Sequence, residues 1–526
     1  MSIPVMNLGH LLTQSAKLHP NRPALTQGGL VYTYKDLNQR VDAMAAALKS
    51  MGLEKGDRVL VQSRNVPQMF ESMWAIFKAG LGWAPVNFRM APGEVAYQGS
   101  DCDAAAFIYE KPFAAHADAV REACPNLKAI VCIGGARENE HSYDELVAQK
   151  LGGTFQEEAV SYDDLLWLFY TSGTTGRPKG GILTHGQIAF VVNNHLADLV
   201  PGTTFEDASL IIAPLSHASG LHAFTQIAVG ANNVMANPGS FDPVEAWALI
   251  EKYRVSNMFT VPTLLKRLVE CPAVDEVDHS SLKHIIYAGA PMYRTDQEYA
   301  LTKIGPVIVQ YFGQGEVTGN ITVLPAHMHT ADYLEADESG VGSCGFARTG
   351  MQLAILDDQG QELKTGEIGN ICVKGPAVCG GYYNRPEATE KALRFGWWDT
   401  GDVGRLDERG LLYITGRASD MYISGGSNVY PREIEEAILS FGSITEAAVV
   451  GVPDPQWGES GIAVIAPMDG AEIDIEALKQ HLSKELAKYK WPKRFLIWDE
   501  VPKSAYGKMS KKLLKEILEE KGLFHP

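Results

Sequence analysis

A run of ten residues, Thr171 to Gly180, has the composition of an anion-binding loop. Its sequence, TSGTTGRPKG, contains four Thr or Ser hydroxyls, three glycines and two cationic side chains. Glycine lets backbone N–H groups come close to an anion, and the hydroxyls and Lys179 add donors and charge. The apolar run at residues 165–170 predicts a buried strand immediately before the loop. We therefore interpret the loop as a polyphosphate site at a strand end, while local composition leaves a surface turn open.

Two common nucleotide-binding motifs do not fit this chain. A P-loop requires Gly, four residues and then Gly-Lys-Ser/Thr, and here Pro178 stands before Lys179. The GxGxxG spacing occurs at residues 340–345, but it follows a polar segment and not a predicted strand, so it does not indicate a dinucleotide site. The loop therefore indicates phosphate chemistry of a different kind.

Charge and cysteine content exclude several classes of partner. A formal net charge of -17 over 526 residues opposes non-specific binding to nucleic acid and to anionic membrane surfaces. Seven scattered cysteines without a CxxC spacing predict neither a zinc site nor a disulfide framework, and they fit a reducing cytoplasm. The N-terminus lacks the pattern of a secretory signal, and the most apolar window, residues 210–230, is interrupted by Pro214 and two histidines. We therefore expect a cytoplasmic enzyme without an integral membrane segment.

The elements that must position the loop alternate between strand and helix patterns. Residues 7–55 are predicted to be helical, and apolar runs such as DRVLVQ and AIVCIG predict strands separated by amphipathic helices. Residues 136–162 are polar and predict a surface excursion. The alternation favours an α/β architecture with largely parallel sheets. After about residue 340, short strands and Gly turns predict an antiparallel or barrel-like subdomain, and the last 105 residues or so have the size of a small domain.

Five further stretches occur in order along the chain: PLSHASG at 214–220, YFGQGE at 311–316, DTGD at 399–402, GRASDMYISGGSNVYPREIEE at 416–436 and PKSAYGK at 502–508. Together with the Thr171–Gly180 loop, they resemble the adenylate-forming enzymes, which include acyl-CoA synthetases, luciferases and peptide-synthetase adenylation domains. The resemblance spans most of the chain and is strongest to a free-standing acyl-CoA synthetase. It implies a large N-terminal domain of two α/β sheet subdomains and a small β-barrel-like subdomain, followed by a small mobile α+β C-terminal domain. The expected boundaries are 1–415, a hinge at 416–421, and 422–526.

The resemblance also implies which residues bind the nucleotide. Asp402 would accept hydrogen bonds from the ribose hydroxyls, Arg417 would hold ribose or phosphate, and Glu316 would bind Mg²⁺, a cation that prefers carboxylate oxygens. Gly315 replaces a frequent Thr and puts one contact to the α-phosphate in doubt. The remaining nucleotide-binding positions are Thr171, Ser172, Gly173, Thr174, Thr175, Gly176, Lys179, Gly289, Ala290, Pro291, Tyr311, Phe312, Gly313, Gln314 and Lys508.

The catalytic residues implied by the resemblance are Lys508, His217 and Glu316. Lys508 would touch both the attacking carboxylate and the α-phosphate and stabilise the charge between them. His217 would lie beside the reacting carboxylate. The acyl pocket would be lined by His217, Ala218, Gly220, Gly289 and Gly313, whose small residues we interpret as room for an aryl ring or a medium acyl chain. Asp420 is the expected hinge residue, and the expected tunnel for coenzyme A (CoA) is formed by Ser424, Gly425 and Gly426.

The implied function is an ATP-dependent carboxylate–CoA ligase that forms an acyl-adenylate and pyrophosphate and then a thioester, releasing AMP. Its acid is a medium-chain fatty or aromatic acid, and its partners are that acid, ATP and CoA. An enzyme passing the acyl group to a carrier protein or other acceptor, and a luciferase-like oxygenase, stay open, as does a homodimer. A peptide-synthetase module is disfavoured because only eighteen residues follow Lys508. A catalytically dead regulatory protein is disfavoured because Lys508, Glu316 and Asp402 are all present.

Overall fold

The computed structural model of the chain describes residues 3–171, 177–290, 292, 294–330, 342–424, 427–468, 470–503 and 509–524, with the backbone only at positions 295 and 428. The described helices are α1 (His10–Leu18), α2 (Tyr34–Ser50), α3 (Pro67–Lys78), α4 (Pro92–Asp101), α5 (Ala114–Ala123), α6 (Tyr143–Lys150), α7 (His185–Asp198), α8 (Ala218–Val229), α9 (Pro243–Tyr253), α10 (Pro262–Glu270), α11 (Arg294–Ile304), α12 (Pro386–Ala392), α13 (Pro431–Leu439), α14 (Ile475–Glu485) and α15 (Lys511–Glu520).

Strands precede and follow these helices along the whole chain. They are β1 (Pro4–Val5), β2 (Pro23–Gln27), β3 (Leu30–Thr33), β4 (Arg58–Gln62), β5 (Gly82–Val86), β6 (Ala104–Glu110), β7 (Ala129–Ile133), β8 (His141–Ser142), β9 (Val160–Ser161), β10 (Leu165–Thr171), β11 (Lys179–Thr184), β12 (Ala208–Ile211), β13 (Asn232–Met235), β14 (Asn257–Thr260), β15 (His284–Tyr287), β16 (Ile308–Phe312), β17 (Thr322–Leu324), β18 (Phe346–Ala347), β19 (Gln352–Leu356), β20 (Gly369–Lys374), β21 (Leu393–Arg394), β22 (Trp397–Leu406), β23 (Leu412–Arg417), β24 (Tyr422–Ser424), β25 (Ser427–Val429), β26 (Ile444–Asp454), β27 (Gly458–Pro467) and β28 (Arg494–Ile497).

Two large, mostly parallel sheets form the N-terminal body. The first has the strand order β11-β10-β5-β4-β6-β7-β8, and the second has the order β18-β17-β16-β15-β14-β12-β13-β2-β3. In the first sheet β10 and β11 pair antiparallel, so the two ends of the predicted phosphate loop lie side by side. In the second sheet the run from β16 to β2 is parallel. Ligands of such sheets bind beyond the carboxyl ends of the strands, which is where the site described below begins.

One continuous apolar core joins the two sheets and fixes α8, the helix that follows β12. Trp74 on α3 packs against Phe224 on α8, with ring centroids 5.3 Å apart. Trp83 on β5 meets Trp167 on β10 at 4.5 Å. Each large apolar side chain that is fully buried stabilises the fold by roughly 1.5–3 kcal/mol, so α8 is held rigidly at its position between the sheets.

Two smaller sheets complete the fold. An antiparallel sheet carries β19, β20, β22 and β21 in that order, with β23 paired to β22. The C-terminal unit has the order β25-β24-β27-β26, with β28 parallel to β27, and α13, α14 and α15 belong to the same unit. The predicted α/β architecture, with a large N-terminal and a small C-terminal part, is therefore confirmed.

Two local predictions are wrong. Residues 7–55 are not continuously helical, because the hairpin of β2 and β3 separates α1 from α2. The strand β2 pairs in parallel with β13, some 200 residues away in sequence, and local periodicity cannot show such a pairing. Residues 136–162 are not only a surface excursion, because they contain α6, whose Tyr143 and Val147 are buried. The helix α2 begins with a capping box, in which Thr33 and Asp36 exchange hydrogen bonds.

Within the described residues, no helix has the length and apolar content needed to cross a membrane. All seven cysteines lie in described segments, and each is buried and free of disulfide bonds. Burial raises the pKa of the Cys124 thiol to about 11 and those of Cys344, Cys372 and Cys379 to about 12.

Candidate active site

A carboxylate, Glu316, lies next to the strand that leads into the predicted phosphate loop. It belongs to a short 3-10 turn, Gly315–Val317, that follows β16, and only 8% of its surface is exposed. The hydroxyls of Thr171 and Tyr382 both donate to its Oε1 atom, at 2.8 and 2.9 Å. Among the described residues, none donates to Oε2. One carboxylate oxygen is therefore left for a ligand.

A cation lies beside this carboxylate. Lys179 is the first residue of β11 and is paired in register with Thr171, the last residue of β10. The Lys179 ammonium lies 5.0 Å from the centroid of the Tyr382 ring. The Thr171 hydroxyl thus lies beside Glu316, and the Lys179 ammonium lies beside Tyr382, which also donates to Glu316. Phosphate oxygens would find donors here, and a metal ion would find a carboxylate.

Gly315, which departs from the residue usual in the family, has a steric explanation. A Cβ atom at Gly315 would lie 2.4 Å from the Phe169 ring and 2.9 Å from the Thr171 side chain. The Phe169 ring also meets the His217 ring edge-on, with centroids 4.8 Å apart. Phe169 therefore occupies the space that a side chain at position 315 would need.

We predict that Gly315→Ala destabilises the protein by about 1–3 kcal/mol, because the added methyl group overpacks against Phe169. Chemical denaturation of the variant measures this change. Phe169→Leu in the same chain should recover part of the loss, and Gly93→Ala is the matched control, since a Cβ atom there meets no atom within 4 Å. Wild-type stability of Gly315→Ala would contradict the steric explanation.

A second carboxylate, Asp402, lies on β22 in the antiparallel sheet. Its neighbour in register on β23 is Arg417, whose Nε atom is 3.2 Å from Asp402 Oδ1. Gln314 donates from Nε2 to Asp402 Oδ2 at 3.0 Å and to the Thr400 carbonyl at 2.6 Å. Burial raises the pKa of the Asp402 carboxyl, and the Arg417 charge and the Gln314 hydrogen bond oppose that shift. The structure thus holds a buried acceptor oriented by two donors.

One tight turn connects these two carboxylates. Gln314 reaches Asp402, and Glu316, two residues later, accepts from Thr171. The turn depends on close backbone contacts, because a Cβ atom at Gly313 would lie 2.4 Å from the backbone of Gly319. The predicted ribose and phosphate ends of the site are therefore linked by a single rigid segment.

The predicted acyl and adenine positions lie at the carboxyl ends of neighbouring strands. Tyr311 and Phe312 end β16, and Gly289 follows β15 with a φ of 86°, a left-handed conformation that favours glycine. Ala290 is the next residue and is partly buried. The order of β15 and β16 in the sheet places these residues on adjacent strands.

The residues of the predicted acyl pocket differ in what surrounds them. His217 caps the start of α8 and Ala218 is the first residue of that helix. A Cβ atom at Gly220 would lie 2.3 Å from the Leu215 carbonyl oxygen. Gly220, like Gly313, is required by a close backbone contact. A backbone contact therefore accounts for the small size of these two glycines, and their place in an acyl pocket stays a prediction.

The predicted hinge is a turn between two strands. The Arg417 carbonyl, at the end of β23, accepts from the backbone N–H groups of Asp420 and Met421, at 3.0 and 3.2 Å. The strand β24 follows and ends at Ser424, a buried residue paired with Ser427. The Asp420 turn thus separates the antiparallel sheet of the N-terminal body from the C-terminal unit.

Several predicted site residues lie outside the described residues: Ser172, Gly173, Thr174, Thr175, Gly176, Pro291, Gly425, Gly426 and Lys508. The flanking residues are described on both sides of each gap. They are Thr171 and Arg177 around the phosphate loop, Ser424 and Ser427 around the glycine pair, and Lys503 and Met509, which form an isolated bridge on either side of Lys508.

Sequence reasoning missed two residues of this site. Tyr382 donates to Glu316 and faces Lys179, and Phe169 fills the space above Gly315. Tyr382 stands in the run GGYYNRP, which has the composition of an ordinary turn. Phe169 looks like any apolar strand residue. The one available signal was the absence of a side chain at Gly315, which implies that a neighbour fills the space.

The fold and this arrangement of carboxylates around a Gly, Ser and Thr loop define the adenylate-forming class, and comparison with known proteins identifies the family. The chain belongs to the AMP-binding enzyme family: that family matches residues 12–383, and its C-terminal domain family matches residues 433–508. A feruloyl-CoA synthase of an Amycolatopsis species is 33% identical over 504 residues, which cover 96% of this chain and 97% of that protein.

Two further relatives show the range within this family. A long-chain-fatty-acid–CoA ligase of Mycobacterium tuberculosis is 32% identical and covers 97% of this chain and 98% of its own. The solved structure of an amide bond synthetase, McbA from Marinactinospora thermotolerans, superposes with a TM-score of 0.87 at 26% identity, covering 97% of this chain and 99% of that one. The shared architecture extends over both the large and the small part of the chain.

Proposed function

We propose that the protein is an AMP-forming carboxylate–CoA ligase. It activates a carboxylic acid with ATP to an acyl-adenylate and pyrophosphate, and CoA then displaces AMP to give a thioester. The observation that carries this proposal is the single turn that joins Asp402, through Gln314, to Glu316 beside the phosphate loop. In this proposal, Asp402 binds the ribose and Glu316 serves the phosphates and a metal ion, and the turn between them supports the two roles by linking the carboxylates. Full-length similarity to CoA ligases supports the second half of the reaction.

The described residues take complementary roles in this proposal. Asp402 accepts from the ribose hydroxyls and Arg417 holds it in place. Lys179 and Thr171, together with residues 172–176, face the phosphates. Glu316 would hold Mg²⁺ through Oε2, to which no described residue donates, and the ion would neutralise phosphate charge. Its hydrogen bonds to Thr171 and Tyr382 fit that role, because they orient one oxygen and leave the other accessible.

The remaining roles follow from membership of the family. His217, at the start of α8, lies beside the reacting carboxylate, with Ala218, Gly289, Tyr311 and Phe312 around the acyl and adenine groups. Lys508 stabilises the charge that develops between the carboxylate and the α-phosphate. We propose domains at 1–415 and 422–526 that rotate about Asp420, a turn between strands of the kind that absorbs such a change. Ser424, Gly425 and Gly426 then border the CoA tunnel.

The acid is proposed to be aromatic or of medium chain length. One relative is a ligase for an aromatic acid, and another is a ligase for fatty acids. An amine as acceptor is the second candidate, because the amide bond synthetase shares the whole fold. We place the enzyme in the cytoplasm, where reduced cysteines persist, and a homodimer stays compatible with the reaction.

The reaction is tested with a panel of carboxylic acids and MgATP. We expect pyrophosphate release with a subset of the acids, and stoichiometric AMP and thioester only when CoA is added. Parallel reactions contain an amine in place of CoA as the control for a different acceptor. Pyrophosphate release without CoA consumption, combined with amide formation, would overturn the ligase proposal and favour the alternative.

A further inference from the structure

A second polar cluster lies inside the N-terminal body and shares Tyr311 with the proposed acyl and adenine site. It contains Arg348, which is buried to 1% exposure in the segment between β18 and β19, and two buried histidines, His195 on α7 and His222 on α8. Phe259 on β14 and Tyr311 on β16 complete it. We call these five residues the Arg348 cluster.

Only part of the Arg348 guanidinium has a hydrogen-bond acceptor among the described residues. Its Nε atom donates to Asp198 Oδ2 at 3.2 Å. Thr349 also donates to Asp198, from its backbone N–H at 2.9 Å and from its hydroxyl at 2.7 Å. Both terminal nitrogens of Arg348, Nη1 and Nη2, are buried and have no hydrogen-bond partner within the described residues. Four N–H groups are therefore left without an acceptor.

A partly buried arginine outside the proposed site, with 19% of its side chain exposed, shows a more complete ion pair. Arg40 on α2 donates to both carboxylate oxygens of the buried Glu71, through Nε and through Nη2. Arg348 uses only Nε on its carboxylate and leaves the terminal fork unused. An unsatisfied buried donor costs about 1–3 kcal/mol. The arrangement around Arg348 is therefore that of a binding site whose ligand would supply the hydrogen-bond acceptor.

The rings around Arg348 form a continuous stack that leads toward the reaction centre. His195 and His222 are stacked with centroids 4.8 Å apart, and His222 stacks on Phe259 at 4.7 Å. The Tyr311 ring is 6.0 Å from His222. Burial, reinforced by the Arg348 charge, lowers the pKa of His222 to about 3, so this ring is neutral. The walls of the cluster are thus uncharged rings, and Arg348 carries its cationic charge.

The position of the cluster relates it to the acyl group. His222 is five residues after His217 on the same helix, which is roughly 7.5 Å along the helix axis. Phe259 and Tyr311 lie near the carboxyl ends of parallel strands, the usual place for a ligand. Tyr311 belongs both to the cluster and to the residues proposed around the acyl and adenine groups, and its ring lies 6.0 Å from His222, so an acyl group beside Tyr311 ends near the cluster.

Resting on the proposed function, we propose that the acid carries a polar oxygen at the end distal to its reacting carboxylate, and that the terminal nitrogens of Arg348 bind this oxygen. A guanidinium fork matches an oxygen acceptor in geometry and charge, and it binds a carbonyl or a carboxylate oxygen alike. A hydrocarbon end would leave the same donors buried and unpaired, so a plain fatty acid is a poor substrate. Arg348 is in this way a specificity-determining residue.

The wild-type enzyme tests the proposal first. Acids of equal length that end in a methyl group, a methyl ketone or a second carboxylate are compared by kcat/KM for pyrophosphate release and by calorimetric titration, each at short, medium and long chain length. We expect the kcat/KM of one series with a terminal oxygen to exceed that of the methyl series by roughly ten- to hundredfold, because the terminal oxygen gains one hydrogen bond to a charged group. The ketone and carboxylate series distinguish a neutral acceptor from an anionic one.

Variants then assign the preference to Arg348. Arg348→Met should remove the discrimination between the series, and Arg348→Lys, which keeps the charge without the fork, should retain part of it. Arg40→Met is the control, a partly buried arginine that pairs with the buried Glu71 elsewhere in the fold, and it should lower the Tm without changing the ratio between acids. Equal wild-type rates for all three kinds of acid would overturn the inference, and they are the result expected if ordered water alone fills the site. A preference that survives in folded Arg348→Met would overturn it as well. Turnover of no acid at all would overturn the proposed function instead, and the titrations would still decide which tip Arg348 binds.

Discussion

Replacing Lys508 with Ala is expected to slow acyl-adenylate formation by at least about a hundredfold, the magnitude typical when a charge-stabilising donor is removed from a reaction centre. A carboxylate attacks an anionic phosphate in this step, so a cation between the two lowers their repulsion most in the transition state. The same variant, given preformed acyl-adenylate and CoA, should still make thioester at a substantial rate. Single-turnover assays of the two half-reactions measure both effects.

Gly426→Trp is the counterpart to Lys508→Ala. The residues on either side of positions 425 and 426, Ser424 and Ser427, are paired. A tryptophan at position 426 would fill the proposed CoA tunnel. We expect slow thioester formation with adenylation preserved. Equal slowing of both steps in both variants would refute the rotation of the C-terminal domain and leave the nucleotide site as the supported part of the mechanism.

Asp402→Asn should weaken ATP binding by roughly 10- to 150-fold, since hydrogen bonds to a charged group are worth about 1.5–3 kcal/mol each. The amide keeps the shape of the buried side chain but offers the ribose hydroxyls a weaker, neutral acceptor. Fluorescence titration with a non-hydrolysable ATP analogue measures the affinity.

Asp399→Asn provides the control for Asp402→Asn. Asp399 lies on the same strand, accepts from the Gly401 N–H at 2.8 Å and pairs with Arg394 at 3.3 Å. Its replacement should affect stability rather than nucleotide affinity. If Asp402→Asn bound ATP like the wild type, Asp402 would be a residue that stabilises the turn and no ribose ligand.

The main architecture could be predicted from the sequence because strands and helices alternate with clear periodicity. The strand β10, for example, begins and ends within one residue of the apolar run at 165–170 that predicted it. The hairpin of β2 and β3 could not be predicted, since β2 is stabilised by pairing with the distant β13. The short apolar pattern around Ala24 and Leu25 does not indicate that β13 is the pairing partner. Tertiary pairing overrides local propensity there.

The candidate site was predictable where a residue type is required by chemistry and stands in a motif. Asp402 and Glu316 are of this kind. Tyr382 and Phe169 are not, because a tyrosine and a phenylalanine are common in any fold and only the coordinates show which neighbours they meet. The same holds for Arg348, whose unusual burial depends on the packing of α7 against the segment after β18.

The buried cysteines have a practical consequence for an enzyme whose proposed substrate is itself a thiol. A protein thiol reacts as the thiolate, and exposure and a low pKa favour that form. Here all seven side chains are buried, and burial raises the pKa of Cys124, Cys344, Cys372 and Cys379. The native protein should therefore resist mixed-disulfide formation with oxidised CoA. It should also contribute little background when thiol-specific dyes follow the disappearance of CoA, so turnover can be recorded continuously in the cuvette.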